Sequence, residues 1–560
     1  MKYATFDIEA YNWTKLKTIG FYDGKEYHLF TKMYEFLDFV LVKKYRNFKF
    51  FAHFGGGFDF HFILPEIVER RFKIDILEKA SKIMLIKLSD GKNTWSFTDS
   101  YFMLPQGQKK LAEAFKVKHQ KTDIDFDKLK ESDFYKEPML KRLRNDTIGL
   151  YEIIKKYKTW GLNRDKLKPT LASQSLYIFR NRYLKEKLYT LDKPMEELVR
   201  NTYYGGRVEI FKMYGKSLNY YDINSLYPFV MTQPMPVGRP MWTTQYKPER
   251  IGFYMIEVDI PYSPITFIPY VHEGKLYFPY GKFTTYVTSA EIELLIEEGI
   301  NFKVKTGLYF SGQEQIFKKY INDLYDIKVK AKQNTMDYMI SKLLMNSLYG
   351  KFGQRRKHER IVIPNSFKQV IEEGLKPYYE ELGIYKKEEE SQSVFILPYI
   401  SSYITSLARC YLYREMRKVG YGEIYYCDTD SIITGKRISC SEGLGGWKLE
   451  YGSISEGIFL QPKTYMLSVN NANPVIRIKG MPTRQFSVND FRKALTKNDI
   501  SIIKSKYYKI TGLKESLVRF KKLGINRVCV EKQLKSFYSK REILSDYSTK
   551  TKSIKDLTAP

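Results

Sequence analysis

Tyr426-Cys427-Asp428-Thr429-Asp430-Ser431 sets two carboxylates one residue apart between apolar runs, Ile424 to Tyr426 before it and Ile432 to Thr434 after it. β-Branched and aromatic runs around a short polar element read as strand, tight turn and strand, so Asp428 and Asp430 are expected together at a hairpin tip. Two ionised carboxylates that close repel unless a cation lies between them, and oxygen-only ligands suit Mg²⁺ or Mn²⁺ rather than zinc. A lone Asp-x-Asp is more often an ordinary acidic surface turn. The decision rests on what the remaining chain brings to it.

Upstream, Asn219-Tyr220-Tyr221-Asp222-Ile223-Asn224-Ser225-Leu226-Tyr227-Pro228 reads as a strand that ends in Asp222 and breaks into a turn before Pro228. A carboxylate at a strand end followed by a compact loop offers one metal ligand and backbone N–H groups for phosphate. Between the two stretches the period turns helical from Gln313 to Lys351, where Lys342, Asn346 and Tyr349 recur at i, i+4 and i+7 and share one face. A lysine, an amide and a phenol on one face can grip a triphosphate and its sugar; alone, such a stripe is a solvated helix face. Helical residues from Tyr399 to Lys418 lead into the hairpin, and Gln461-Pro462-Lys463-Thr464-Tyr465 follows it in an extended segment.

A second acidic set opens the chain. Tyr3-Ala4-Thr5-Phe6-Asp7-Ile8-Glu9-Ala10 reads as a strand with Asp7 and Glu9 on one face. Phe50 to Phe54 form an aromatic strand running into Gly55, Gly56 and Gly57, which permit close backbone approach, and then Asp59. A dinucleotide-binding loop is the rival reading of this glycine run, but the G-x-G-x-x-G spacing is absent. Trp95 to Ser100 alternate like a half-buried strand, and Met139 to Lys155 form a helix whose stripe of Leu140, Leu143, Leu150 and Ile154 places Asp146 near a buried face. Four carboxylates can hold two divalent ions about 3.5 to 4 Å apart for in-line attack of water on a phosphodiester.

Composition narrows the partners. The 560 residues are 43% hydrophobic and 16% aromatic, with 47 Tyr and 36 Phe, which excludes a disordered chain and is long enough for roughly three or four domains. Lys plus Arg number 93 against 63 Asp plus Glu, a net charge of +30, so a polyanion is the expected partner and the aromatic excess suits stacking on bases. A Lys- and Tyr-rich host proteome is the competing explanation of the same totals. Cys410, Cys427, Cys440 and Cys529 match neither a zinc knuckle nor a disulfide framework, which implies a reducing compartment. With no signal peptide at Met1 and no run of about 18 apolar residues, the expectation is a soluble, intracellular protein without a membrane partner. Residues 160 to 200 read as a basic linking helix, Tyr203 to Arg207 as a turn exposing aromatic and cationic groups, 234–312 as a β-rich insertion and 354–392 as an exposed charged insertion.

Taken in order, the stretches at Asp222 to Pro228, Lys342 to Gly350, Tyr426 to Ser431 and Lys463 to Tyr465 resemble the family B DNA polymerases over nearly the full chain. The resemblance implies a multidomain α/β (α+β) fold: an RNase H-like 3′–5′ exonuclease domain at 1–162, then a right-hand polymerase. Its palm would be 163–233 and 393–525, its fingers 313–353 and its thumb 526–560, with insertions at 234–312 and 354–392. Asp222 and Asp430 would hold two Mg²⁺ or Mn²⁺ ions, supported by Asp428. Lys328 and Lys342 would meet the incoming nucleotide, Tyr227 would exclude a 2′-hydroxyl, and Asn346 and Tyr349 would line the nascent pair. Lys463 and Tyr465 would steady the primer end, and Tyr203, Gly205 and Gly206 would contact DNA between the two activities. In the exonuclease, Asp7, Glu9, Asp59 and Asp146 would bind metal, Lys121 would assist, and Phe58 and Ser100 would touch the frayed strand.

The compact chain and the 79 positions from Tyr349 to Asp428 resemble the protein-primed subgroup of phages, viruses and linear plasmids. Its insertions would guide a terminal protein (234–312) and unwind duplex (354–392). Primer-template DNA, dNTPs and a terminal protein are then the partners of a monomer in the cytoplasm, a host's if viral; a conventionally primed enzyme is the alternative subtype. Two departures weaken the proofreading expectation: Phe54 stands where the family has Asn, and Arg142 where it has Tyr. A nuclease alone leaves Asp222, Lys342 and the hairpin unexplained, and a DNA-binding replication protein without catalysis explains only the charge.

Overall fold

The computed structural model describes residues 2–70, 72–163, 166–391, 393–470, 472–496 and 503–558. Its N-terminal sheet has ten strands in the spatial order Lys376–Tyr379, Ile384–Glu390, Lys357–Ile363, Lys73–Lys79, Lys82–Ser89, Thr94–Asp99, Lys49–Ala52, Tyr3–Tyr11, Lys15–Tyr22 and Tyr27–Phe30. Tyr3–Tyr11 runs parallel to Lys49–Ala52, which runs parallel to Thr94–Asp99. Period-2 alternation divides the first strand. Ala4, Phe6 and Ile8 enter the aromatic core with Phe36, Phe50 and Phe97, while Thr5 donates to the Thr147 carbonyl at 2.8 Å and so binds the other face to the helix Met139–Thr159. That helix buries Leu143, Leu150 and Ile154 as its stripe requires, and Asp146 with them.

A second, antiparallel sheet has seven strands, in the order Val475–Arg477, Thr464–Val469, Trp447–Gln461, Tyr214–Ile223, Ser431–Thr434, Ile424–Asp428 and Val208–Ile210. The expected hairpin forms, with Thr429 at φ 63° in the left-handed region that lets so short a turn close. Cys427 and Ile432 face a core shared with the 22-residue helix Pro398–Val419, and Tyr426 and Ile433 face the opposite one. Residues 234–312 do build a β-rich unit, the strands Met235–Thr243, Phe302–Glu314, Gly252–Ile260 and Gly281–Thr288 with the helix Ser289–Glu297. The helices Lys318–Lys330 and Met336–Ser347 pack together, followed by Tyr349–Phe352.

Four expectations change. The stretch 160 to 200 is not one linking helix but two, Leu171–Arg182 and Lys193–Asn201, because Asp192 caps a new start by accepting from the Met195 N–H at 2.9 Å. The charged segment 354–392 is no free appendage. Much of it is exposed as expected, but its strand Lys357–Ile363 pairs with Lys73–Lys79, so the inserted strands extend the N-terminal sheet, and Arg360 ties the two together by ion pairs to Asp75 at 3.2 Å and to Glu389 at 2.9 Å. The boundary at 525/526 falls between Ile503–Ile510 and Arg527–Leu534, which pair as one two-stranded sheet. The turn at 203–207 is largely buried: Arg207 sits between Glu209 and the ring of Phe278, 4.2 Å from its centroid, and Tyr204 donates to the Tyr286 carbonyl at 2.9 Å. Among the described residues no helix is long and apolar enough to cross a membrane.

Candidate active sites

Strand register brings the first carboxylate centre together. Asp222 lies opposite Ser431 on one side and Lys448 on the other, and the Ile223 N–H donates to the Asp430 carbonyl at 2.7 Å. Asp222 and Asp430 line a cleft of about 590 Å³ together with Tyr227, Lys328, Lys342, Asn346 and Tyr349. Three separately read stretches therefore meet in one cavity. Burial, then the charges of Asp430 and Glu450, push Asp222 up to about 7; burial, then Asp428, pushes Asp430 up to about 6. Carboxylates that repel across an oxygen-lined cleft fit a hard divalent cation.

Across the cleft, Lys328 Nζ donates to Asn224 Oδ1 at 3.1 Å and Ser225 Oγ at 3.3 Å, and burial followed by repulsion from Lys342 and Lys448 lowers its pKa. The rings of Tyr227 and Tyr349 stack at 4.6 Å and 7°. Asp428 is placed differently from its neighbour: both its oxygens accept from Lys463 Nζ at 2.7 Å. Lys463 itself sits not in an extended segment but at the tip of a second hairpin, at φ 62°. Tyr465 is buried beside Tyr426 and Phe459, so its ring belongs to the core beneath the site. Gly206 packs against the hairpin tip, where an added Cβ would come within 2.8 Å of the Thr429 side chain, and Arg409 holds the Tyr204 and Gly205 carbonyls at 2.9 and 3.2 Å. Tyr203 is half-buried beneath Gly353.

Sequence reading assigned nothing to Asn224, Lys448 or Glu450, which also line the cleft. Lys448 and Glu450 alternate along a strand and pair at 2.7 Å, a period-2 signal that points to a shared face but not to which cavity it meets.

In the second centre, carboxylate oxygens of Asp7, Glu9 and Asp146 lie within 4.8 Å of one another. Asp59 opens the helix Asp59–Val68 and accepts from the Ile8 N–H at 3.0 Å. Burial, then Asp59, Asp146 and Glu9, raises Asp7 well above the usual carboxylate range, and burial lifts Asp59 to about 7. Lys121 Nζ binds Asp146 Oδ2 at 2.6 Å, whereas buried Asp146 Oδ1 has no hydrogen-bond partner among the described residues. An orphaned carboxylate oxygen within an all-oxygen donor set fits Mg²⁺ or Mn²⁺. The adjoining cavity of about 400 Å³ is lined by Phe54, Phe58, Trp13 and Arg142 as well as Asp7, Glu9 and Asp59. Gly56 permits the close approach anticipated for the glycine run, since a Cβ there would fall 1.8 Å from the Ile83 carbonyl oxygen.

Ser100 departs from its expected contact with a frayed strand. It is fully buried, its hydroxyl donating to the Ala52 carbonyl at 3.0 Å and bonding His53 Nδ1 at 2.9 Å, so it braces the loop instead. Asp99, given no role from the sequence, fixes the same loop by accepting from the Phe54, Tyr101 and Gly56 N–H groups at 2.9, 2.8 and 3.1 Å. Phe54 adopts φ 67° with Lys82 Nζ 3.9 Å from its ring centroid.

The family model for DNA polymerase type B, organellar and viral, matches residues 41–142 and 136–412. A probable DNA polymerase of Podospora anserina is 28% identical over 516 residues, covering 76% of this chain and 43% of that protein. One from Neurospora intermedia is 28% identical over 518 residues, covering 78% and 53%. The chain thus spans about half the length of these relatives. The DNA polymerase of Bacillus phage phi29 is 27% identical over 412 residues, covering 66% and 67%. Its structure with primer-template DNA and incoming nucleotides superposes with a TM-score of 0.76 at 20% identity, over 96% of this chain and 99% of that one. The shared architecture and the match across 41–412 lead to one assignment: the chain belongs to the type B DNA polymerases of the organellar and viral kind.

Proposed function

We propose that the chain is a template-directed DNA polymerase that extends a 3′-hydroxyl at the Asp222–Asp430 cleft and removes 3′ ends at the Asp7–Glu9–Asp59–Asp146 centre. The observation that carries this reading is the convergence in one cavity of two mutually repelling carboxylates, two lysines and a stacked tyrosine pair. Divalent ions bound by the acids would neutralise phosphate charge and favour the ionised attacking hydroxyl. Lys328 and Lys342 supply fixed positive charge for a triphosphate. Tyr227, flat against Tyr349, closes the space beside the sugar and disfavours an added 2′-hydroxyl. Lys463, by pairing with Asp428, holds that carboxylate aside from the cleft.

The division into domains remains part of the proposal, with 1–162 as the exonuclease and 163–560 as palm, fingers, thumb and two insertions. So does initiation from the hydroxyl of a terminal protein, a reading that the added segments 234–312 and 354–392 support by giving the chain two extra surfaces, the second joined to the N-terminal sheet.

Asp430→Asn is expected to lower nucleotide incorporation by at least ~10²-fold while keeping 3′-end degradation, the scale lost when one preorganised charge is removed. Asp7→Ala with Asp59→Ala is expected to do the reverse. Primer extension and single-strand degradation, measured side by side with Mg²⁺, check both, and an Asp430→Asn enzyme that still extends primers sinks the central assignment. Incubation with a candidate terminal protein and one labelled nucleotide tests the priming arm, for which covalent label on that protein is the expected result.

A further inference from the structure

Arg142 stands four residues before Asp146 on one helix, and its guanidinium is built into the acid cluster from both sides. Its Nε donates to Glu9 Oε1 at 3.2 Å, and another nitrogen lies 3.7 Å from Asp146 Oδ2. Behind it, the Thr122 carbonyl accepts from the same group and the Phe126 ring lies 4.9 Å away. The side chain is buried, so this is a fixed position and not one rotamer of a solvated arginine. Lys121 shares Asp146 Oδ2, which leaves Asp146 Oδ1 without a partner inside the cluster. A cation settling among the Asp7, Glu9 and Asp146 oxygens finds Asp146 Oδ1 free. It must share Glu9 with a guanidinium and approach a positive charge at close range.

We infer that Arg142 is a resident counter-ion of this centre, which competes with the divalent cation for Glu9 and Asp146 and makes metal binding weaker than the same acids would give beside an uncharged side chain. The inference rests on the reading of Asp7, Glu9, Asp59 and Asp146 as a metal-dependent phosphodiester-cleaving centre. Arg142 acts through Glu9 and Asp146 and is therefore a positioning residue.

Mn²⁺ binding to the full chain tests it directly, with the other centre silenced by Asp222→Asn and Asp430→Asn and free Mn²⁺ read by electron paramagnetic resonance. Arg142→Gln and Arg142→Tyr should each bind Mn²⁺ on the order of 10-fold tighter or more, the factor one charge-assisted hydrogen bond carries. Arg142→Lys, which keeps the charge, should stay near the parent, and adding Asp7→Asn should abolish the tightened binding. Thermal melting with chelator establishes that each variant is folded, and the tyrosine variant carries the test if the glutamine variant is not. Unchanged or weaker Mn²⁺ binding in the folded uncharged variants overturns the inference while leaving the acids a metal centre. Absence of Asp7-dependent binding in every variant overturns the underlying reading as well.

Discussion

Asp222, lifted to about 7, and Asp430, lifted to about 6, are both held above the 3.8 of a free aspartate, first by burial and then by neighbouring acids. Between these values the metal-free folded chain keeps protons that the unfolded chain has released, so their contribution favours folding at the acid end and is lost as pH rises through about 6 to 7. His53 and His61, lowered to about 4 by burial, work in the opposite sense below 6.5. The informative quantity is thus the difference between parent and variant. With chelator present, the thermal midpoint of Asp222→Asn/Asp430→Asn should rise relative to the parent as pH goes from about 5 to about 7.5, and added Mg²⁺ should stabilise the parent more at the upper pH. A parent-to-variant difference that does not change with pH contradicts the raised values. At this scale the Asp-x-Asp and strand-end signals located the acids, but the local reading paired Asp428 with Asp430, whereas Asp430 shares its cleft with Asp222 and Asp428 turns to Lys463. Nor did the sequence reveal that Arg207, Ser100 and Tyr465 are buried, since burial of a polar or aromatic side chain depends on partners distant in the chain, such as Phe278 for Arg207 and Ala52 for Ser100.

The elements themselves follow from periodicity: the strand Tyr3–Tyr11, the helix Met139–Thr159, the helix Pro398–Val419 and the hairpin at Asp428 all form where period 2 or 3.6 places them. What periodicity leaves open is which edges pair. The strand Lys357–Ile363 carries alternating charge at its start and Ile361, Val362 and Ile363 at its end, and only the apolar end joins Ile74, Asp75 and Ile76 of the N-terminal sheet. That junction is secured by Glu373. Burial opposes its ionisation, yet hydrogen bonds from Lys73 and Gln369 and the charge of Lys387 hold it down to about 2. Ile384, on the neighbouring inserted strand, is fully buried in the N-terminal core. Ile384→Ala should therefore cost about 2–4 kcal/mol and lower the unfolding midpoint of the N-terminal domain, although position 384 lies far outside it in sequence. Calorimetry with hydrogen exchange resolved at Phe6 and Phe97 measures this. An N-terminal domain that melts as before after Ile384→Ala shows that the inserted strands do not share its core.

For the molecule as a whole, the proposed pair of activities on one basic chain would require a 3′ end to pass from one centre to the other, and one groove adjoins the Asp7 centre at the C-terminal side of the fold. A groove of about 730 Å³ runs between the N-terminal domain and the two-stranded sheet Ile503–Ile510 and Arg527–Leu534, lined by Trp13, Phe54, Lys82, Lys506, Tyr508 and Arg527. Trp13 and Phe54 also line the cavity at Asp7, which makes the two spaces neighbours. Trp13 is 56% exposed and Tyr508 61%, and Arg527 stacks 3.8 Å from the Tyr508 ring centroid. Exposed rings alternating with cations suit a single strand, whose bases stack while its phosphates are neutralised. The net charge of +30 attracts duplex and single strand alike, so it does not select this path; the rings do. Tyr508→Ala with Trp13→Ala should accordingly slow removal of a mismatched 3′ nucleotide by roughly 10-fold or more, the scale of one or two lost base stacks. Extension of a matched primer, which need not leave the Asp222–Asp430 cleft, should change far less. The ratio of mismatch excision to matched extension, followed on one primer-template at fixed salt, is the measurement. Equal losses in the two rates would mean that these rings serve general DNA affinity and not the passage of the strand between centres.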